Sequence, residues 1–308
     1  MRLPNIITAI SDILAGIAIG ASNLANTFGR VSDHHISFGE LLITNDTAEP
    51  FRPIGFLVLS TIGLYGGGVV LNDVFDAELD KRERPERPIP SGLISKSSAT
   101  IFGVLLLVLG IVAAGLSADT FISYSLVIAT VIAIAAVVYD RWMKHNSFLG
   151  PLTMGFCRAC NLLLGISILS YSLNIFWHLA FVPLVYIAAI TMVSRGEVHG
   201  GKRNTLYFAM TLYALVMLAV LFVAYSNGAL RLSLPFILIL ALMILVPLQN
   251  AIKTPSGPAI GKAVKGGVIG LIALNAAWAA AFNDIFFAIA IILLLPLSIL
   301  LARMFAVT

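Results

Sequence analysis

Three carboxylates with helical spacing stand directly after a long apolar run that starts near Ile54. They are Asp73, Asp76 and Asp80, at positions i, i+3 and i+7, and at about 100° per residue they share one face of a helix. Like charges so close repel one another, and negative charge at a helix C-terminus opposes the helix dipole. A bound cation would remove both penalties, and Mg²⁺ is usually held by one or two carboxylates plus substrate phosphates. The spacing therefore predicts a magnesium site that takes a phosphate ligand, with a solvated acidic loop as the alternative.

Basic side chains that could neutralise such a phosphate occur in three loops between apolar runs. Guanidinium and ammonium groups donate charge-assisted hydrogen bonds to phosphate oxygens. The candidates are Arg84 and Arg87 after the acidic motif, Lys144 after the fourth apolar run, and Arg195, Lys202 and Arg203 after the sixth. For Lys144 a purely topological role is an equal alternative.

One cation lies inside an apolar segment rather than in a loop. Arg158, with Asn161 three residues on, stands about 15 Å along a helix that starts at Phe148, which is near the middle of a membrane. A charge at that depth marks either a functional site or a buried ion pair. Both options stay open: contact with a substrate, or pairing with Asp12 or Asp140.

The elements that must position these residues are membrane helices. The chain has 308 residues, of which 59% are hydrophobic and 11% charged, which excludes an ordinary soluble protein. Several apolar runs of about twenty residues are long enough to span a bilayer, and ten such runs can be counted. Basic residues are confined to the connections, so the positive net charge concerns membrane topology and no nucleic acid partner is expected. Cys157 and Cys160 are interpreted as small packing residues.

Loop charges predict the orientation of the helices. When ten helices alternate across the membrane, most of the 19 lysines and arginines fall on one side. By the positive-inside rule that side is cytoplasmic. The acidic motif then faces the cytoplasm, where soluble diphosphates and Mg²⁺ are available.

The acidic motif closely resembles the first aspartate-rich motif of the UbiA superfamily of intramembrane prenyltransferases. Its residues are Asn72, Asp73, Asp76 and Asp80, followed by Arg84, Arg87-Pro88 and Pro90-Ser91-Gly92. The resemblance implies an all-α, polytopic protein with nine or ten transmembrane helices around a central lipid-accessible cavity, as a single domain over residues 1–308. It also implies a transferase of alkyl groups other than methyl. Such an enzyme moves a prenyl group, with Mg²⁺, from an allylic isoprenoid diphosphate to an aromatic or lipid-soluble acceptor among membrane lipids.

Roles follow for the candidate residues. The segment Tyr139-Asp140-Arg141-x-x-Lys144 resembles the Y-x-x-x-K segment that the superfamily carries at this place. The expected catalytic residues are Asn72, Asp73, Asp76 and Asp80. The expected metal ligands are Asp73, Asp76, Asp80 and Glu197. The expected substrate-binding residues are Arg84, Arg87, Lys144, Arg158, Asn161, Arg195, Glu197, Lys202 and Arg203.

One loop departs from the superfamily pattern. A second aspartate-rich motif, D-x-x-x-D, is expected after the sixth helix, but Ser194–Arg203 contains Glu197 as its sole carboxylate. Either basic side chains replace a second metal, or diphosphate is not processed in the usual way. Together with the segment Tyr139–Gly165, this departure is similar to the UbiA-like EboC proteins, which are associated with export or trafficking of a small metabolite in bacteria. The expected location is therefore a bacterial cytoplasmic membrane.

Alternatives to an active transferase remain. A diverged, non-catalytic protein would keep the cavity and bind a prenyl lipid or metabolite without turnover. A transporter is disfavoured because the acidic motif lies at a loop rather than at the membrane midplane. A CDP-alcohol phosphotransferase is disfavoured because its D-G-x-x-A-R signature is absent from the sequence.

Overall fold

The computed structural model describes residues 3–28, 51–120, 122–144, 146, 148–197 and 200–304. The described residues are helical and form no strand. They include ten helical spans that are long and apolar enough to cross a membrane. The all-α, polytopic prediction is confirmed, with the larger of the two predicted numbers of spans.

The helices are α1 (Leu3–Phe28), α2 (Phe51–Phe75), α3 (Ala77–Glu83), α4 (Lys96–Leu116), α5 (Tyr124–Val138), α6 (Leu149–Ile166), α7 (Ser170–Phe176), α8 (Phe181–Ser194), α9 (Arg203–Ser226), α10 (Leu230–Lys253), α11 (Gly257–Ala281), α12 (Ile285–Ile292) and α13 (Leu294–Met304). A π-helical turn over Tyr139–Met143 extends α5, and a 3₁₀ turn over Trp177–Ala180 joins α7 to α8. One span therefore combines α7 with α8, and another combines α12 with α13.

Polar side chains at the helix starts explain several boundaries. The Ser95 hydroxyl accepts a hydrogen bond from the Ser98 amide at 3.0 Å, and the Ser123 hydroxyl accepts from the Leu126 amide at 3.3 Å. These contacts satisfy amides that have no partner within the first turn of a helix. The starts of α4 and α5 are therefore set locally.

Glycines allow neighbouring helices to approach closely. A Cβ atom on Gly16 of α1 would lie 2.3 Å from the backbone oxygen of Leu162 on α6. A Cβ atom on Gly67 of α2 would lie 2.8 Å from the backbone oxygen of Gly103 on α4. Gly68, the next residue, instead lines a cavity. In the absence of a hydrophobic driving force between helices in lipid, such small-residue packing holds membrane helices together.

Helix α11 forms the centre of the bundle. Its residues from Ile269 to Ala281 are all buried, and it packs against α1, α8, α9, α10, α12 and α13. A helix that is apolar on all sides is expected at such a central position. The prediction that residues 1–308 form a single domain stays a prediction.

Candidate active site

A cavity of about 540 Å³ lies between α2, α5, α6, α8 and α11. Its apolar wall includes Leu64, Val69, Ile132, Ile187, Ile190, Val264, Val268 and Leu271. Polar side chains line it at two levels. We call Asn72, Asp76, Asp140, Lys144 and Glu197, near the helix ends, the outer polar cluster. Within the helices, Thr61, Arg158 and Asn161 line the cavity; together with Thr8, Asp12 and Asn275, which are joined to them by hydrogen bonds, we call them the inner polar cluster.

The acidic motif does not lie on one continuous helix, in contrast to the prediction. Helix α2 ends at Phe75 and α3 begins at Ala77, with Asp76 between them at φ −83° and ψ −4°. The Asp76 amide still donates to the Asn72 carbonyl at 2.9 Å, and the Asp80 amide donates to the Asp76 carbonyl at 2.8 Å. The backbone hydrogen bonds from residue i to residue i−4 therefore continue through Asp76, although the regular α-helix is interrupted at this residue.

The three motif carboxylates do not form one ligand set. Asp76 lines the cavity, and its carboxylate is paired with the Lys144 ammonium group. The buried Asp80 accepts a hydrogen bond from Arg87 Nη1 at 2.7 Å, and the same nitrogen lies 3.6 Å from Asp73 Oδ1. Arg87 therefore offsets the repulsion between two carboxylates that the sequence pattern assigned to a metal. Across the described ranges no three His, Cys, Asp or Glu side chains gather as a cation site.

The π-helical turn brings Lys144 to the cavity. Four residues separate Tyr139 from Lys144, one more than in a Y-x-x-x-K segment. The Lys144 amide donates to the Tyr139 carbonyl at 2.9 Å, a bond from residue i+5 to residue i that takes up the extra residue. Such turns inside α-helices are frequent at functional sites. Arg141 and Trp142, on the same turn, are exposed, so only Lys144 of the two basic residues reaches the cavity.

Asp140 is a site residue that the sequence did not indicate. It is buried, lines the cavity and accepts a hydrogen bond from Asn72 Nδ2 at 2.8 Å. This bond joins the π-helical turn to α2. In the sequence, Asp140 follows Tyr139 of the Y-x-x-x-K-like segment, and this position is the pattern that could have indicated a site role. The sequence analysis names Asp140 as a candidate partner for Arg158.

The partner of Arg158 is Asp12. Arg158 Nη1 donates to Asp12 Oδ2 at 2.7 Å, and Nη2 donates to Thr8 Oγ1 at 2.6 Å. Its Cζ atom lies 5.7 Å from the centroid of the Tyr65 ring. Arg158 thus forms a buried ion pair with Asp12. It also lines the cavity, so a ligand can still reach it.

Amide groups complete the inner polar cluster. Asn161 Nδ2 donates to the Ala9 carbonyl at 2.9 Å and to Asp12 Oδ2 at 3.2 Å. Asn275 Nδ2 donates to Asp12 Oδ1 at 2.7 Å, and Thr61 Oγ1 donates to Asn161 Oδ1 at 2.7 Å. Four helices, α1, α2, α6 and α11, therefore meet at one polar network inside the bundle. Thr8, Thr61 and Asn275 were not indicated by the sequence, because isolated polar residues in apolar runs carry no spacing signal.

Of the remaining residues that the sequence predicts to bind the metal or the substrate, one lines the cavity and the others do not. Glu197 lines the cavity next to Gly261, where a Cβ atom would lie 3.1 Å from Glu197 Oε1. Arg84, Arg195 and Lys202 are exposed and are not among the cavity-lining residues.

Two more charged side chains lie outside the cavity. Arg203 Nη2 donates to the Lys253 carbonyl at 3.2 Å, so it satisfies a free carbonyl at the end of α10. Glu78, which the helical spacing directs away from the other carboxylates, is exposed on α3. The hydrogen bond from Lys81 lowers the pKa of Glu78. Neither side chain is available to a ligand in the cavity.

The chain is similar to known prenyltransferases. A model of the UbiA prenyltransferase family matches residues 36–264. A digeranylgeranylglyceryl phosphate synthase from Saccharolobus solfataricus is 38% identical over 128 residues, which are 41% of this chain and 43% of the relative. A protein of the same name from Methanosarcina mazei is 32% identical over 131 residues, which are 41% of this chain and 42% of the relative. The matched part thus spans less than half of the length of either relative.

Two solved structures share the fold. One, from work on digeranylgeranylglyceryl phosphate synthase in membranes, has a TM-score of 0.59 at 21% identity and covers 92% of this chain and 99% of that one. The other is the apo form of a UbiA homologue from Aeropyrum pernix K1, with a TM-score of 0.62 at 13% identity over 88% of this chain and 96% of that one. At these identities the likeness concerns the fold alone.

Proposed function

The chain belongs to the UbiA prenyltransferase family, and on that premise we propose that it transfers a prenyl group from an allylic isoprenoid diphosphate to a lipid-soluble acceptor within the membrane. The observation that carries the proposal is a cavity in which the outer polar cluster adjoins a long apolar wall. A diphosphate fits the polar end, and a prenyl chain fits the wall. Both relatives above bear the name of a synthase, which favours transfer over a carrier without turnover.

The donor set of the outer polar cluster suits Mg²⁺. Lys144 is paired with Asp76, and oxygens of Asn72, Asp140 and Glu197 line the same cavity; Mg²⁺ prefers oxygen ligands completed by substrate phosphates. We assign Asp76 and Glu197 as the protein ligands. Held by these residues, Mg²⁺ would supply positive charge to the leaving diphosphate.

The side chains of this site act on the leaving group and on the acceptor. The bond between the allylic carbon and the diphosphate oxygen breaks, and its electron pair leaves on the diphosphate. Lys144 supplies a positive charge to that group. The apolar wall excludes water from the allylic carbon, so the electron pair of the acceptor forms the new bond, and the acceptor's proton passes to the released diphosphate.

The other motif residues act at a distance from the reacting atoms. Asp73 and Asp80 form ion pairs with Arg87. We assign to these three residues a structural role at the entrance to the site. The exposed Arg84 and Lys202 attract the diphosphate by their charge. Arg195, which is also exposed, belongs to the same group.

The proposal is tested by turnover of the purified protein in lipid nanodiscs. Geranylgeranyl diphosphate is supplied with Mg²⁺ or with EDTA, together with geranylgeranylglyceryl phosphate or a quinol precursor as acceptor, and both diphosphate release and prenylated product are measured. We expect metal-dependent release that Asp76→Asn lowers at least tenfold without loss of folded protein. Donor binding without any release would contradict transfer and support a carrier. Release unchanged in Asp76→Asn would remove that residue from the site.

Orientation is part of the proposal. Asp76, Lys144 and Glu197 line one cavity near helix ends, and Arg203, in the connection that contains Glu197, donates to the Lys253 carbonyl. The basic connections after α3, α5, α8 and α10 are therefore assigned to one end of the bundle. By the positive-inside rule we assign this end to the cytoplasm. A cysteine introduced as Lys96→Cys should then resist an impermeant thiol reagent in intact cells; its labelling would contradict the orientation. The bacterial membrane and the EboC resemblance stay predictions.

A further inference from the structure

The inner polar cluster forms a second polar level in the cavity, separate from the outer one. Thr61, Arg158 and Asn161 all line the cavity. On α2, Thr61 precedes Asn72 by eleven residues, which is about 16 Å along a helix. Tyr65, beside Arg158, precedes Asn72 by seven residues, or about 10 Å. Apolar side chains occupy the wall between the two levels, so a polar group bound at the inner level is distinct from the diphosphate group at the outer level.

Arg158 has hydrogen-bond donors to offer there. A guanidinium group has five N–H donors, and in the described part of the chain Arg158 donates to Asp12 and to Thr8. Its side chain is 12% exposed, and this exposure is towards the cavity. Asn161 differs, because its amide already donates to two acceptors and accepts from Thr61. An N–H group without a partner in a water-poor cavity is unfavourable, so Arg158 favours a ligand that accepts hydrogen bonds.

The charge of the cluster selects the kind of acceptor group. Asp12 neutralises Arg158, and it is held in place by donors from Arg158, Asn161 and Asn275. A second anion against Arg158 would lose its hydration and would also face the Asp12 carboxylate, so attraction and repulsion would largely cancel. An uncharged oxygen loses far less hydration and still satisfies the N–H donors.

We propose, on the basis of the function given above, that the inner polar cluster binds the acceptor substrate through an uncharged oxygen-bearing group that accepts hydrogen bonds from Arg158. A hydroxyl, carbonyl or ether oxygen has this chemistry. The contact between Arg158 and the Tyr65 ring, with Cζ 5.7 Å from the ring centroid, restricts the motion of the guanidinium group and the direction of its donors. The acceptor thereby approaches the allylic carbon from the inner level, opposite the leaving diphosphate.

The test uses two probes that differ by one phosphate group, the uncharged geranylgeranylglycerol and the anionic geranylgeranylglyceryl phosphate. Their dissociation constants are measured by calorimetry on the full chain in detergent micelles. We expect wild type to bind the neutral probe at least tenfold more tightly. The double variant Asp12→Asn/Arg158→Gln should lose this binding tenfold or more, while Mg²⁺-dependent binding of a non-hydrolysable diphosphate analogue changes less than twofold. Arg141→Gln, an exposed change, serves as the control and should alter neither.

A single substitution then tests the charge argument. In Asp12→Asn the cluster becomes cationic, so the preference should shift towards the phosphate probe at least tenfold. The folded state of each variant is checked by tryptophan fluorescence. Tighter binding of the phosphate probe by wild type would overturn the proposal, as would neutral-probe binding that persists in the double variant. If the diphosphate analogue fails to bind wild type, the proposed function fails instead, and the two failures are therefore distinct.

Discussion

Removal of the Asp12 carboxylate tests how the bundle tolerates a charge at membrane depth. In Asp12→Ala the Arg158 guanidinium loses its counter-ion at 2.7 Å, and Asn161 and Asn275 each lose an acceptor. Asp12 is itself almost fully buried. Among the described residues, Asp12 is the carboxylate that forms an ion pair with Arg158.

The expected cost follows from these contacts. Removal of one partner of a buried ion pair lowers the free energy of unfolding by about 3–5 kcal/mol, because the other charge stays buried without a counter-ion. A charged side chain at the centre of a membrane helix is unfavourable by a similar amount, about 2.5–3.5 kcal/mol. We expect Asp12→Ala to lower the free energy of unfolding by about 3–5 kcal/mol. The double variant Asp12→Asn/Arg158→Gln removes both charges and should recover most of that loss.

Reversible unfolding in mixed micelles, followed by tryptophan fluorescence, measures these free energies. The single variants Asp12→Asn and Arg158→Gln form, with their double variant, a cycle that isolates the coupling between Asp12 and Arg158. Asp119→Ala is the matched control, because Asp119 is an exposed carboxylate whose removal should change stability by less than about 0.5 kcal/mol. A cost below about 1 kcal/mol for Asp12→Ala, or a double variant no more stable than it, would refute the reasoning.

Three further outcomes are expected. Lys144→Gln should weaken Mg²⁺-dependent binding of a diphosphate analogue at least tenfold, since a hydrogen bond to a charged group contributes about 1.5–3 kcal/mol. Arg141→Gln on the same turn should leave this binding unchanged. Equal effects of the two substitutions would contradict a cavity role for Lys144. Deletion of Trp142 should convert the π-helical turn into an α-helical one and preserve diphosphate binding, measured by calorimetry. An alanine inserted after Trp142 should abolish diphosphate binding. Stronger binding by the insertion variant than by the deletion variant would rule out the positioning role of the turn. Gly16→Ala should destabilise the protein by about 1–3 kcal/mol through overpacking, because its Cβ would meet a backbone oxygen of α6 at 2.3 Å. Gly55→Ala, with no atom within 4 Å of its Cβ, should be neutral or stabilising, and similar unfolding midpoints for both would count against the packing argument.

The sequence by itself determined the fold class and predicted where a polar site lies along the chain. In lipid every backbone polar group must be satisfied within its own helix, so a long apolar run has one structural outcome, and the ten runs became ten spans. The acidic motif likewise indicated an oxygen-rich site near a helix end, and Asp76 lines the cavity there. These properties depend on neighbours along the chain.

Only the tertiary structure decided which charges meet. Asp12 and Arg158 are 146 residues apart, and nothing in either segment distinguishes this pairing from one with Asp140. The contacts of Arg87 with both Asp73 and Asp80 likewise come from the tertiary structure, whereas its binding of diphosphate stays a prediction. Among the basic loop residues, Lys144 reaches the cavity because a π-helical turn rotates it inward. Such outcomes depend on how helices pack and bend, because a side chain's partner is set by the distance between helices and by rotation about their axes, and neither is encoded in local spacing.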